Sequence, residues 1–158
     1  MSSPVRVGVI GVGYWGPNLL RNFNNVSGVQ ARWAADLDEK RREHIGNLYP
    51  DVTTTADYRQ MFEDDQTHAI VVATPAETHY SIAREALLAG KHVYVEKPLV
   101  LDETEARKLI DLAREQKRIL MVGHLLQYHP VFVRLKQMVA AGELGKINYI
   151  YSNRLNLG

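Results

Sequence analysis

The sequence predicts an α/β fold, a doubly wound parallel sheet. Three observations predict it. Short apolar, β-branched runs recur along the chain, and a segment of helical periodicity separates each from the next. One run, Ala69 to Ala73 (AIVVA), is apolar without alternation, as expected of a strand covered on both faces. A glycine-rich turn, GVGYWG, follows the first run directly and precedes a helical segment.

The elements follow in order. Val5 to Ile10 reads as a strand that ends at Gly11. Leu19, Leu20 and Phe23 fall at helical spacing behind it, with Pro17 in the first turn. Val29 to Leu37 is a second strand, and the charged segment Glu39 to Leu48 a surface helix. A short strand is expected around Val52, then a helical turn over Tyr58 to Phe62. Behind Ala69–Ala73, the positions Ile82, Ala83, Ala86 and Leu87 mark one helix face, and Gly90 stops it. His92 to Val95 is the next strand. Asp102 is placed to cap the following helix, with Glu105 reaching back in a capping box. Ala106, Leu109, Ile110 and Ala113 form that helix's apolar stripe. Ile119 to Val122 is a further strand, ending at Gly123. Pro130 then opens a helix with Val131, Leu135, Met138 and Val139 inward, closed by Gly142. Strands joined through helices in this way imply right-handed crossovers and a parallel sheet.

Composition narrows the function. The 158 residues suit one ordinary domain, 46% hydrophobic and 23% charged. Nineteen basic residues face eighteen acidic ones, so nothing steers the chain toward nucleic acid or a membrane surface. There is no cysteine, hence no disulfide, thiolate metal site or cysteine nucleophile, and no metal is expected. The N-terminus MSSPVRVGVIGVG lacks the pattern of a secretory leader. The expectation is a cytoplasmic protein that acts on small molecules.

In a doubly wound sheet, ligands bind beyond the carboxyl ends of the strands. At the first such end stand Gly11, Gly13 and Gly16. Gly11 permits the tight turn, Gly13 leaves room for a pyrophosphate, and Gly16 lets helix and strand pack closely. Free amides at the helix start favour the phosphate charge. The second strand ends at Asp36, about twenty residues on, where a carboxylate accepts hydrogen bonds from an adenosine ribose. That carboxylate would repel a 2′-phosphate, which favours NAD over NADP. Arg41 and Arg42 lie nearby and weigh against it: either could stack on adenine, pair with a phosphate, or belong to a solvated helix face. Asp36 would equally serve as a helix cap. Later strands end in ATPAETH (73–79) and VEKP (95–98). There Thr74, Pro75, His79, Glu96 and Lys97 gather at the same sheet edge. Elsewhere, His79 would be a capping residue and Glu96–Lys97 a surface ion pair of little worth.

GVGYWG, Asp36, ATPAETH, EKPL and the VGH segment at 122–124 together resemble the glucose–fructose oxidoreductase and inositol dehydrogenase family, Gfo/Idh/MocA. The resemblance covers essentially the whole chain. The pairing of ATPAETH with EKPL carries more of it than the glycine turn, which many dinucleotide folds share. GYWGPNLLRNF looks closest to members that act on nucleotide-linked sugars, such as nucleotide-sugar 3-dehydrogenases. The resemblance implies a Rossmann domain in which Gly11, Gly13, Tyr14, Trp15 and Gly16 hold the pyrophosphate and Asp36 takes the ribose. Thr74, Pro75 and His79 would lie along the cofactor. Glu96 and Lys97 would approach the nicotinamide ribose and the reacting carbon, with Lys97 catalytic and the Lys97–Pro98 bond often cis. Gln127 stands where members often carry arginine, so a part in holding the cofactor is in doubt there. The implied reaction is hydride exchange between a sugar carbinol and NAD. A homo-oligomer is expected.

The resemblance also implies a second α/β domain. Residues 1–142 would be the dinucleotide-binding domain and 143–158 the start of the second. Ile147, Tyr149 and Tyr151 alternate with Asn148, Ile150 and Ser152, which reads as the first strand of its sheet. The family's downstream aspartate and histidine have no counterpart in this sequence, and His124 and His129 read as polar loop residues. Two functions chiefly stay open: the cofactor domain of a sugar dehydrogenase, catalytically incomplete alone, or a stand-alone nucleotide-binding module that oligomerises through its C-terminal strand; a third, weaker one is an enzyme completed by a partner polypeptide that supplies the second domain.

Overall fold

The computed structural model describes residues 3–153. The chain forms two units, Met1–Gly123 and His124–Gly158. The first carries the sheet. Its elements are β1 (Val5–Ile10), α1 (Gly16–Asn25), β2 (Val29–Ala35), α2 (Glu39–Leu48), β3 (Thr53–Thr55), α3 (Arg59–Glu63), β4 (Ala69–Val72), α4 (His79–Leu88), β5 (His92–Val95), α5 (Glu103–Glu115) and β6 (Leu120–Val122). Six strands pair in the order β3-β2-β1-β4-β5-β6, and every pairing is parallel. The chain starts in the middle and winds outward both ways. The order therefore reverses between β1 and β4, which is where such sheets bind ligands.

Burial follows from the pleat. Successive strand residues face opposite sides, so Ile70 and Val72 of β4 enter one core cluster and Val71 the other. Leu87 of α4 and Leu109 of α5 cover the first face, while Leu20 of α1 and Ile45 of α2 cover the second. All four of these side chains are fully buried. Helix starts are fixed locally. Asp38 accepts from the amides of Lys40 and Arg41, and Asp102 from those of Thr104 and Glu105. Among the described residues no bond returns from the Glu105 side chain, so the expected box is a single cap.

A bulge in β2 ties down the opposite end of the sheet. The β1–β2 register slips between Val7 and Gly8, so Arg32 is the extra residue. The local twist lets two consecutive residues, Arg32 and Trp33, donate to the same oxygen of Asp64. Thr67 Oγ1 donates to it as well (2.9 Å), the Gln66 amide to the other oxygen (3.0 Å), and Lys91 Nζ to the Asp64 carbonyl (2.8 Å). Burial works against the charge, but the donors Trp33, Arg32, Gln66 and Thr67 outweigh it and hold the carboxyl well below the usual carboxylate range. Asp64→Ala strands a part-buried indole N–H and the buried Thr67 hydroxyl. It should cost about 2 kcal/mol, a fall in melting temperature of roughly 4–8 °C by scanning calorimetry. The depressed pKa sets the sign of the pH dependence. This stabilisation is present above the unfolded carboxylate pKa and lost as pH falls through the folded one. A variant that melts with the wild type at neutral pH would show the cluster to be incidental.

The short strand expected around Val52 forms at Thr53–Thr55, and Val52 itself is buried in the core. Two expectations need correction. The helix opened by Pro130, α6 (Pro130–Ala140), belongs to the second unit. Of its expected inward residues, Val131, Leu135 and Val139 are exposed at 66%, 45% and 44%, while Met138 is half-buried. An apolar helix stripe is buried only where another element covers it, and no described strand lies in this unit. Residues 147–152 likewise form no strand, and Tyr149, Ile150 and Tyr151 are exposed. A strand exists through its ladder, and no described segment pairs with this one. Residues 154–158 of the expected second-domain start lie outside the described residues.

Candidate functional site

A cleft of about 750 Å³ opens beyond the carboxyl ends of β1, β2 and β4. The glycine turn forms its floor. Gly11 has φ +86°, and a Cβ there would lie 2.8 Å from the Ala73 carbonyl, so the first turn and the end of β4 meet backbone to backbone. The Gly11 amide donates to Ala35 O (2.8 Å), which locks the turn to β2 as well. At Gly16 a Cβ would overlap the carbonyl oxygen of Gly11, so only glycine lets α1 start against the turn. Gly13 differs. A Cβ there meets only the guanidinium tip of Arg41, 3.0 Å away, and its φ is not left-handed. The fold itself makes no demand for glycine at 13, while a ligand lying on the turn would. Tyr14 and Trp15 line the cleft, at 95% and 40% exposure.

Asp36 stands at the end of β2 with its side chain 9% exposed. Its Oδ2 accepts from the Val12 amide inside the glycine turn (2.9 Å), and its Oδ1 from Asp38 N (3.0 Å). The helix-capping role weighed for Asp36 falls to Asp38. The Arg41 guanidinium lies 3.6 Å from Asp36 and 3.7 Å from Asp38. Arg42 turns to the backbone instead, donating to the carbonyls of Asp36 (2.8 Å) and Leu37 (2.9 Å). Each Asp36 oxygen keeps a free lone pair, so a diol can still donate to it.

The β4 end supplies the opposite wall. Thr74 and Pro75 line the cleft, joined by Thr78, Ser81 and Tyr58. The Thr78 hydroxyl shares a hydrogen bond with that of Thr74 (2.7 Å) and reaches Pro75 O (2.7 Å). Sequence reasoning missed Thr78 and Ser81. Their hydroxyls at the start of α4, beside a strand end, were the available signal. Tyr58 was missed as a cleft residue because α3 has only five residues and little periodicity. Burial and the neighbouring Glu85 push its phenol up.

His79 does not line the cleft. It is 1% exposed, with Nε2 2.8 Å from Thr74 O and Nδ1 2.8 Å from Pro98 O. Glu96 does not line it either. Its carboxylate is buried at the end of β5, where Oε1 accepts from the Tyr94 hydroxyl (3.1 Å) and Oε2 from the Lys97 amide (3.2 Å). A surface ion pair with Lys97 is absent among the described residues. Gly123 makes this possible, since a Cβ there would lie 2.6 Å from Tyr94 Oη and 2.9 Å from Glu96 Oε1. Lys97 is exposed, and its bond to Pro98 is cis. Gln127 lies in the second unit, where its Oε1 accepts from Lys136 Nζ (3.0 Å). Among the described residues no group of His, Cys, Asp or Glu could hold a metal ion, and no helix is long and apolar enough to cross a membrane.

The model of the oxidoreductase family GFO_IDH_MocA, NAD-binding Rossmann fold, matches residues 5–124. A UDP-N-acetylglucosamine 3-dehydrogenase of Acidithiobacillus ferrooxidans is 32% identical over 154 residues, 96% of this chain and 45% of that protein. GenD2 from gentamicin A biosynthesis, solved in complex with NAD, superposes with a TM-score of 0.85 at 34% identity, over 90% of this chain and 41% of its own. A mutant of KijD10, a 3-ketoreductase from Actinomadura kijaniata solved with TDP-benzene and NADP, gives 0.82 at 29% identity, over 92% and 45%. The chain spans less than half the length of the curated relatives it matches.

Proposed function

The chain belongs to the oxidoreductase family GFO_IDH_MocA, and from that premise we propose that its cleft binds NAD in preference to NADP, as the cofactor half of a sugar or nucleotide-sugar dehydrogenase. The carrying observation is Gly13, a glycine with no structural reason to be one, beside two glycines that packing requires. Gly13 and the open amides of α1 would hold the pyrophosphate, and Asp36 would accept from the adenosine ribose. Tyr14, Trp15, Thr74 and Pro75 would wall the dinucleotide. NAD, when bound, supplies hydride transfer at its nicotinamide.

The preference for NAD rests on Asp36, whose carboxylate disfavours a 2′-phosphate, and on Arg41, whose charge is already shared between Asp36 and Asp38. Lys97 is the residue we assign to the nicotinamide end. Glu96 sits beneath it and steadies its backbone, so Glu96 acts on the cofactor through Lys97. Gln127 is left without a cofactor role. Residues 143–158 would open a second domain that carries the remaining catalytic groups, and the substrate would be a sugar carbinol, free or nucleotide-linked. The alternative is a nucleotide-binding module that assembles through its C-terminal segment, where residues 147–152 would become a strand only by pairing with another chain.

Calorimetric titration of the chain with NAD, NADP and ADP tests this. NAD should bind, and more tightly than NADP. Binding of none of the three would remove the cofactor assignment altogether, and tighter binding of NADP would reverse the preference.

A further inference from the structure

We propose that His79 is a positioning residue that braces the Thr74 wall of the cleft against the turn carrying Lys97. The sequence suggests a histidine lying along the cofactor, but burial removes it from any ligand's reach. What remains is its place between two strand ends. Thr74 follows β4 and lines the cleft; Pro98 follows β5 and comes directly after Lys97. Their carbonyl oxygens each lie 2.8 Å from a ring nitrogen of His79. No other side chain links these two carbonyls among the described hydrogen bonds. A part-buried carbonyl that loses its donor costs free energy, so a hydrogen bond donated from Nδ1 to Pro98 O ties the start of α4 to the turn after β5 and resists separation of the two strand ends. A neutral imidazole donates to one carbonyl at a time; both contacts become hydrogen bonds only when both nitrogens carry protons.

Thr74 and Lys97 would meet different parts of one dinucleotide, so their spacing matters for the nicotinamide half and little for the adenosine half. This rests on the cofactor reading above, and the test separates the two. The chain is titrated with ADP, ADP-ribose and NAD, as wild type and as His79→Leu, His79→Asn and His79→Gln. His79→Leu keeps an apolar filler and removes every donor. It should bind ADP within about twofold of wild type and NAD about tenfold more weakly, the worth of roughly one hydrogen bond. The preference for NAD over ADP-ribose should shrink accordingly. His79→Asn places an amide near Nδ1 and His79→Gln places one near Nε2, so at least one should restore the preference.

An equal loss for ADP and NAD would mark His79 as a general stability residue and overturn the proposal. So would unchanged NAD binding in His79→Leu. A second readout needs no cofactor. A long-range proton–nitrogen spectrum of the wild-type chain should show a slowly exchanging His79 ring N–H, whereas a ring N–H in rapid exchange with water would exclude the brace. If wild type binds neither ADP nor NAD while that signal is present, the cofactor reading fails and the brace stands as structure alone.

Discussion

Gly16→Ala is expected to abolish dinucleotide binding and to cost about 3 kcal/mol or more of stability, whereas Gly13→Ala should fold normally and lose only the binding. The contrast follows from what each added methyl meets. At Gly16 it overlaps the Gly11 carbonyl oxygen, which is backbone and cannot rotate away. Gly11 cannot yield either, because its own Cα faces the Ala73 carbonyl and its amide is bonded to Ala35 O at 2.8 Å. Relief would require α1 to move off the sheet, and α1 carries Leu20, which is fully buried. Overpacking of this kind exceeds the usual range of core substitutions because no rotamer absorbs it. At Gly13 the methyl meets only the end of the Arg41 side chain, which can swing into solvent. A ligand phosphate lying there cannot. Thermal melting and calorimetric titration of the two variants check this directly. A Gly13→Ala protein that binds NAD as the wild type does would sink the pyrophosphate assignment.

The same distinction explains how much of the molecule was legible in the sequence. Strands rich in β-branched residues announce themselves: the AIVV run is apolar throughout, and Val5–Ile10 and His92–Val95 carry valines around Arg6 and His92. β2 ends at Ala35 rather than Leu37, because Leu37 leaves the ladder and stands 87% exposed at the cleft. The reading failed where burial depends on a partner segment. The stripe of α6 and the alternation at 147–152 carry the right periods, yet Val131, Leu135 and Val139 stand exposed and residues 147–152 form no strand. Periodicity reports what a segment can bury, not whether anything lies against it.

At the site, backbone demands were readable and side-chain directions were not. Gly11 and Gly16 follow from a tight turn after a strand. Nothing in ATPAETH says that His79 points inward to two carbonyls. Likewise nothing in VEKP says that Glu96 bonds the Lys97 amide instead of its ammonium. The seat for Glu96 is made by Gly123, twenty-seven residues on, and such a pairing leaves no local signature.

Asp36→Asn should shift the preference between NAD and NADP by about 100-fold toward NADP, a difference of roughly 2.7 kcal/mol. The substitution keeps the shape and keeps one oxygen to accept from Val12 N, so the glycine turn survives. The amide it introduces faces Asp38 N, but that bond is exposed and water can replace it. Two effects then act together. The ribose of NAD loses a charged acceptor, and charge-assisted hydrogen bonds are about twice as strong as neutral ones. A 2′-phosphate no longer faces a carboxylate, while Arg41, 3.6 Å from Asp36 in the wild type, is left with Asp38 alone and can pair with the phosphate. The double variant Asp36→Asn with Arg41→Ala separates these. It should keep the weakened NAD binding but lose most of the gain for NADP. Affinities of the three proteins for both cofactors, measured at one salt concentration because surface charges are screened, check both steps. An unchanged NAD to NADP ratio in Asp36→Asn would mean that the adenosine ribose lies elsewhere and that the Asp36 carboxylate serves the turn alone.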